Sequence, residues 1–110
     1  MAGQIQIISG AAMGTYKLTA SDDNAQTIAT AKKYQDGTAS GRRARAAIIT
    51  VETYALRYTV GNTAPTAGGV GHKLNPGDVL KLSSWDSVNT FSWINNVAGE
   101  NNVVQITVFF

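Results

Sequence analysis

A catalytic or metal-binding function needs histidine, carboxylate or cysteine side chains in suitable combinations, and this 110-residue chain offers few of them. His72 is the single histidine, and Asp78, six residues further on, is separated from it by a predicted turn. A general base needs a partner that orients it, and a metal site needs further ligands. We therefore interpret His72 as a residue in or beside a loop, and we expect no enzyme activity, no metal and no other cofactor.

The seven acidic side chains suggest no catalytic pair. Most of them fall in predicted turns, where aspartate is favoured because its side chain hydrogen-bonds the local backbone. The run Asp22-Asp23-Asn24 is a candidate for calcium, but it lacks the spaced oxygen ligands of a calcium-binding loop. The glycines from Gly61 to Gly71 lack the Lys-Ser/Thr pair of a phosphate-binding loop, so we predict a surface loop there.

The two tryptophans, Trp85 and Trp93, raise the alternative of carbohydrate binding, because exposed indoles on a β-sandwich can stack on sugar rings. Trp93 is in phase with Phe91, which favours two core-facing aromatic rings on one strand. Trp85 follows two serines and could be exposed. Packing in the core or in an interface is the favoured interpretation of the pair, and a carbohydrate-binding module is the alternative.

A short basic stretch contains Arg42, Arg43 and Arg45. Arg43 and Arg45 share a predicted strand face with apolar residues further along, so this strand would run from solvent into the core. Its charged end could meet an acidic surface of a partner, because arginine is enriched at interfaces. A plain solvated strand end is the favoured alternative.

The composition restricts the classes of partner. The formal charge is only +2, and no large basic face is evident, so we expect no nucleic acid as main partner. Charged residues make up 15% of the chain, below the usual quarter, so the surface must be largely Ser, Thr, Asn, Gln and Gly. Such a surface suits a protein packed among protein neighbours.

Other classes are excluded by what the chain lacks. Without cysteine there is no disulfide scaffold, iron–sulfur cluster or thiol nucleophile. No apolar run approaches the 18 residues of a membrane-spanning helix, so we expect no membrane association. The N-terminus lacks the basic region and apolar stretch of a signal peptide, which predicts a soluble protein made in the cytoplasm.

The elements that would position these residues follow a period of two, which is typical of strands. The clearest cases are residues 54–60, in which Tyr54, Leu56, Tyr58 and Val60 share one face, and residues 103–110, in which Val104, Ile106, Val108 and Phe110 do. Ile5 and Ile7 alternate with glutamines in the same way. Weaker strands are predicted at 14–20, 27–34, 43–51, 79–83 and 90–94.

These segments predict an all-β chain, a single antiparallel β-sandwich or jelly-roll-like domain of about eight short strands over residues 1–110. Asp36-Gly37 is typical of a hairpin, and Asn75-Pro76-Gly77-Asp78 of a type II turn, in which the glycine takes a positive φ. The sequence leaves open whether the sandwich is a jelly roll or immunoglobulin-like.

Residues 45–110 resemble a known group of proteins. The stretch Ala47–Thr53 is followed by Leu56–Val60, by Thr63-Ala64-Pro65-Thr66, by Gly71–Leu82 and by Phe91–Ile94 before a β-rich end. This order is similar to that of small phage virion proteins of the capsid decoration, or cement, type, which have jelly-roll-like β-sandwich folds. The hairpin at 57–66 also resembles fibronectin-like modules attached to carbohydrate-active enzymes.

The resemblance implies a structural protein of the virion that binds the major capsid protein at subunit junctions and stabilises the shell. It implies a homotrimer or a homodimer on the capsid surface, and it carries over no catalytic residue. A tail or neck component is a further alternative. Residues 1–14, with Ile5 and Ile7, could form an arm that adds a strand to a neighbour; the first strand of the chain's own sandwich is the favoured alternative. The expected partner-binding residues are therefore Arg42, Arg43, Arg45, Ile5, Ile7 and Trp85.

Overall fold

Eight strands and two short helices make up the computed structural model, which describes residues 13–20, 22–38 and 41–110. The strands are β1 (Met13–Thr19), β2 (Gln26–Thr27), β3 (Ala46–Thr53), β4 (Leu56–Thr59), β5 (His72–Leu74), β6 (Val79–Leu82), β7 (Ser92–Asn95) and β8 (Val103–Phe109). The helices are α1 (Thr30–Lys33) and α2 (Trp85–Thr90). The all-β prediction is confirmed, because the strands form two antiparallel four-stranded sheets.

The order of the strands identifies the kind of sandwich. β1 pairs with β8, β2 with β7, β3 with β6 and β4 with β5, so the described chain is one long double strand that turns back between β4 and β5. This double strand is rolled up so that β8 also pairs with β3, and β7 with β4. The resulting sheets, β1-β8-β3-β6 and β2-β7-β4-β5, have the two interleaved Greek keys of a jelly roll.

The core lies between the two sheets and follows the predicted alternation of β8. Val104, Ile106 and Val108 are buried as predicted, but the alternation breaks at the end of the strand, where Phe109 on the opposite face is buried and Phe110 is half-buried against the edge of the cluster. The predicted phase of Phe91 and Trp93 is also confirmed, since both are buried and their rings stack with centroids 5.2 Å apart. Burial of such side chains contributes about 1.5–3 kcal/mol each, which makes this cluster the main source of stability.

The predicted strand at 27–34 is wrong over most of its length. Strand β2 ends at Thr27, and the helical turn α1 begins at Thr30, where Lys32 N donates to Ala29 O at 2.8 Å. Only Ile28 in this stretch is buried. The Ala and Lys residues that follow it favour helix and are exposed or only half-buried, so the burial of a strand face does not oppose the helical turn.

The predicted strand at 90–94 is displaced, because helix α2 occupies Trp85–Thr90 and β7 begins at Ser92. Ser84 caps the helix by accepting a hydrogen bond from Ser87 N at 3.1 Å, and Asp86 lies in the first turn. Both features stabilise a helix N-terminus. Both are present in the sequence, where the predicted strand 79–83 ends at the first of the two serines and no helix is predicted after it.

The alternation at 54–60 is confirmed only in its centre. Leu56 is fully buried and Tyr58 packs on the core, whereas Tyr54 and Val60 are 47% and 46% exposed. Tyr54 has a φ of 57°, which places it in the tight connection between β3 and β4 rather than in a strand. The strand is therefore shortened by the turn that precedes it.

The predicted turn at 75–78 is confirmed. Asp78 N donates to Asn75 O at 2.9 Å, and Gly77 has a φ of 93°. Ile5, Ile7 and the question of an N-terminal arm lie outside the described residues. Among the described residues, neither helix has the length and apolar character needed to cross a membrane.

Candidate interaction surface

His72 and the carboxylates do not come together. His72 is the exposed first residue of β5, and its ring centroid lies 5.4 Å from that of Tyr58. Within residues 13–20, 22–38 and 41–110, no three His, Asp or Glu side chains are grouped so that they could hold a metal ion. The candidate calcium run is used differently, since Asp23 accepts a hydrogen bond from Gly99 N at 2.8 Å and so joins two loops.

The arginine stretch lies beside α1 rather than at the end of a strand. β3 begins only at Ala46, and residues 42–45 run between α1 and the end of β8. Gln35 N donates to Arg42 O at 2.9 Å, Tyr34 and Arg43 form an isolated antiparallel bridge, and Arg45 N donates to Phe109 O at 2.9 Å. This arrangement brings the three arginines close to Lys32 and Lys33 of α1, so five of the nine basic residues lie in one region.

Trp85 belongs to the same region. It is half-buried, the Arg43 guanidinium carbon lies 5.0 Å from its ring centroid, and the ring of Tyr34 lies 5.4 Å away at 52°. A guanidinium at this distance gains a cation–π interaction, which fixes both side chains. Trp93 by contrast is buried and donates from Nε1 to Asn102 Oδ1 at 3.1 Å, so the two indoles do not form a common platform.

A cleft of about 230 Å³ opens between β1 and α1. It is lined by strand residues, by one face of α1 and the two residues after it, and by the last residue of the chain: Gly14, Thr15, Tyr16, Ala31, Lys32, Tyr34, Gln35, Val108 and Phe110. Lys32 Nζ lies 5.2 Å from the centroid of the Tyr16 ring. The cleft therefore combines walls of mixed polar and apolar character with a cation at its side.

Burial changes the acid–base properties of two groups near the cleft. It raises the pKa of Tyr16 to about 12, because the phenolate would be desolvated, and the Tyr16 hydroxyl is buried without a hydrogen-bond partner. Desolvation also lowers the pKa of Lys33. The Lys33 ammonium donates to the backbone and side-chain oxygens of Asn89, both at 3.3 Å, which links α1 to α2.

The outer face of the β1-β8-β3-β6 sheet is a second candidate surface. The strand register places two rows of side chains across it: Thr15, Thr107, Ile48 and Lys81 in one row, and Lys17, Gln105, Thr50 and Val79 in the other. Within these two rows the central strands supply uncharged, half-buried side chains, and both lysines lie on the edge strands. Near the end of β3 the exposed carboxylate of Glu52 accepts a hydrogen bond from Gln105 Nε2 at 3.2 Å. Thr15 and Thr107 are hydrogen-bonded to each other at 2.8 Å across the register.

A buried amide network at one end of the sandwich was missed by the sequence analysis. Asn102 Nδ2 donates to Asn95 Oδ1 at 2.7 Å, and Asn95 Nδ2 donates to Asp22 O and Asp23 Oδ1, both at 3.1 Å. Two hydrogen bonds lower the pKa of the Asp23 carboxyl, and the one from Gly99 N has a larger effect than the one from the Asn95 side chain. The Asn101-Asn102 pair before a strand was the only signal, and it is also typical of an exposed turn.

Comparison of the chain with models of protein families, with curated proteins and with solved structures found no match.

Proposed function

We propose that this chain is a structural protein of a phage particle, a decoration protein that binds the major capsid protein at subunit junctions on the outside of the shell. The observation that carries the proposal is the anatomy of the outer face of the β1-β8-β3-β6 sheet. The two rows of side chains across it are uncharged at their centre and have their cations on the edge strands, and the carboxylate of Glu52 lies near the end of β3, where it accepts a hydrogen bond from Gln105. Protein interfaces have this distribution, with charge depleted at the core of the contact and a polar rim around it.

The fold and the sequence resemblance support the same proposal. Jelly rolls occur in viral capsid and lectin domains, among others, so the fold is compatible with the role without assigning it. The resemblance of residues 45–110 to decoration proteins supplies the phage context. Low charge over the whole chain is consistent with a protein packed against other proteins.

The alternative of a carbohydrate-binding module has less support. A carbohydrate platform needs an indole face that is open to a sugar ring. Trp93 is buried, and the guanidinium of Arg43 lies over the ring of Trp85. A tail or neck position uses the same kind of surface as a capsid position, and particle imaging distinguishes the two.

Self-association is part of the proposal. A decoration protein placed on a symmetry axis of the shell would be a homotrimer or a homodimer. Several contacts of one oligomer with one particle add through multivalency, so each of them can be weak. Analytical ultracentrifugation of the purified chain measures the oligomeric state.

The direct test is mass spectrometry and cryo-electron microscopy of gradient-purified particles of the virus that encodes the chain. We expect the chain in stoichiometric amounts with the major capsid protein and as density on the outer surface of the shell. Absence from the particles, or density only in the tail, would overturn the proposal.

A pair of matched variants tests the surface itself. Thr50→Lys places a charge at the centre of the outer face, between Gln105 and Val79. Thr27→Lys introduces the same charge at an exposed position of β2, an edge strand of the other sheet. We expect Thr50→Lys to abolish binding to shells that lack the chain and Thr27→Lys to preserve it; equal binding of both would assign the contact to another surface.

A further inference from the structure

The cleft between β1 and α1 exists because one side chain is missing there. Gly14 shares a strand face with Tyr16, and a Cβ built at Gly14 meets no atom within 4 Å. The next side chains around the opening, Ala31 and Val108, are too small to fill the space. The cleft is thus an unfilled position at the end of the sheet.

The size of the cleft indicates what can enter it. Sites for whole small-molecule ligands usually have volumes of about 300–1,000 Å³, and this cleft measures about 230 Å³. It has room for one large side chain rather than for a cofactor. Its lining mixes polar and apolar groups, and the presence of Tyr16, Tyr34 and Phe110 in it favours an aromatic or aliphatic group.

The charges around the cleft indicate the rest of the ligand. Lys32 lines it, Arg42 and Arg43 are paired with the wall residues Gln35 and Tyr34, and among the described residues the side chains of these two arginines form no ion pair. The one acidic side chain between Lys32 and Arg43 in the sequence is that of Asp36. It accepts hydrogen bonds from Thr38 N at 2.9 Å and Thr38 Oγ1 at 3.0 Å, so it is engaged within its own loop.

We propose that this cleft binds one bulky apolar side chain of an acidic segment of a partner protein, with Lys32 and Arg42 contacting the flanking carboxylates. The inference rests on the proposed function in one respect, that the segment belongs to a protein of the particle. The aromatic anchor supplies most of the affinity, as buried anchors do at interfaces. The cations supply orientation and a faster association that depends on ionic strength.

The probe is a fluorescein-labelled pentapeptide with one phenylalanine between two pairs of acidic residues, and binding is measured by fluorescence anisotropy. Two control peptides carry serine in place of phenylalanine, or lysines in place of the acidic residues. We expect saturable binding of the first peptide only. We also expect its affinity to fall as salt rises from 50 to 200 mM, because exposed ion pairs are screened.

Substitution of Gly14 separates binding from folding. Gly14→Val fills the cleft, and it should raise the melting temperature slightly because valine favours strands and glycine does not. We expect peptide binding to be lost in this variant. Thr19→Val, the same β-branched replacement on the exposed face of β1, should leave binding unchanged.

Charge reversal gives a second, independent comparison. Lys32→Glu and Arg42→Glu change exposed side chains at the cleft, and each should weaken peptide binding about fivefold. Lys73→Glu makes the same change on β5, an edge strand of the other sheet, and should have no effect. The proposal is overturned if Gly14→Val binds the peptide like the native chain, if the serine peptide binds equally well, or if an oligodeoxythymidylate binds more tightly than the acidic peptide.

The two proposals fail in distinguishable ways. Loss of the peptide interaction while the chain still binds shells would remove the cleft hypothesis alone. Peptide binding by a chain that is absent from purified particles would leave the cleft hypothesis standing for another partner and would remove the decoration role.

Discussion

Asn102 offers the sharpest test of the energetics, because its side chain is completely buried and connects the core to the loops. In Asn102→Ala, the indole N–H of Trp93 loses its acceptor at 3.1 Å and no other oxygen replaces it. The oxygen of Asn95 loses the side-chain donor of Asn102 but keeps the backbone N–H of residue 102 at 2.9 Å. One buried donor is therefore left unpaired, and one acceptor is still satisfied.

The loss of stability follows from the number of hydrogen bonds lost and of polar groups left unpaired. An unsatisfied buried polar group costs about 1–3 kcal/mol, and loss of a further hydrogen bond costs about 0.5–1.5 kcal/mol. We expect Asn102→Ala to lower the free energy of unfolding by about 2–3 kcal/mol. With an unfolding entropy of about 2.1 cal/mol/K per residue, this corresponds to a fall in melting temperature of about 9–13 °C.

The assay is urea unfolding followed by circular dichroism, with Asn62→Ala at an exposed loop position as the control. The control should change stability by less than about 0.5 kcal/mol. A double-mutant cycle with Trp93→Phe isolates the indole–amide interaction, and we expect a coupling energy of about 1 kcal/mol. A cost below about 0.5 kcal/mol for Asn102→Ala, or additive single effects, would refute this account of the network.

Three further predictions concern single side chains. The folded-state pKa of Asp23 lies below the ordinary 3.8, so its contribution to stability is present above that pH and is lost as the pH falls through the lowered value. In thermal melts from pH 2 to 6, the melting temperature of Asp23→Asn should therefore fall less steeply with acid than that of the native chain. An unchanged slope would contradict the contact with Gly99. For Tyr16, whose pKa is raised from 10.0 to about 12, stability should decline from pH 10 to 12. Tyr16→Phe should flatten that decline in pH-dependent thermal melts. It should also keep the free energy of unfolding at pH 7 within about 1 kcal/mol of the native value, because the hydroxyl has no hydrogen-bond partner. A large loss of stability at pH 7 would show that the hydroxyl does make a hydrogen bond. Gly77→Ala should cost about 1 kcal/mol or more in urea unfolding, because φ is 93° there, whereas no loss would mean that the turn adopts another conformation.

Several features of the fold could be predicted from the sequence because they depend on local geometry. The inward face of β8 follows from the period of two, since successive side chains of a strand point to opposite faces wherever the strand lies. The turn at 75–78 follows from the fixed φ of Pro76 and the positive φ available to Gly77. The start of helix α2 also has a local signal in the sequence, because Ser84 is a suitable N-cap. A six-residue helix, however, gives too short an apolar pattern to be recognised.

The candidate surfaces depend on contacts between distant parts of the chain. Arg43 meets Trp85 only because α1, residues 42–45 and α2 are brought together at one end of the sandwich, and no local pattern connects residues 42 apart. The choice of a jelly roll over an immunoglobulin-like sandwich likewise depends on which strands pair, and in particular on the pairing of β1 with β8.

The sequence by itself determined that this protein is a β chain with low charge, few groups suited to catalysis and three arginines at positions 42, 43 and 45. Tertiary structure alone decided that Asn102 is buried, that Arg42 and Arg43 pair with wall residues of a cleft, and that Gly14 leaves that cleft open. The physical reason is the range of the interactions: backbone preferences and strand alternation act over a few residues, whereas burial and surface shape arise only when strands far apart in the chain pair.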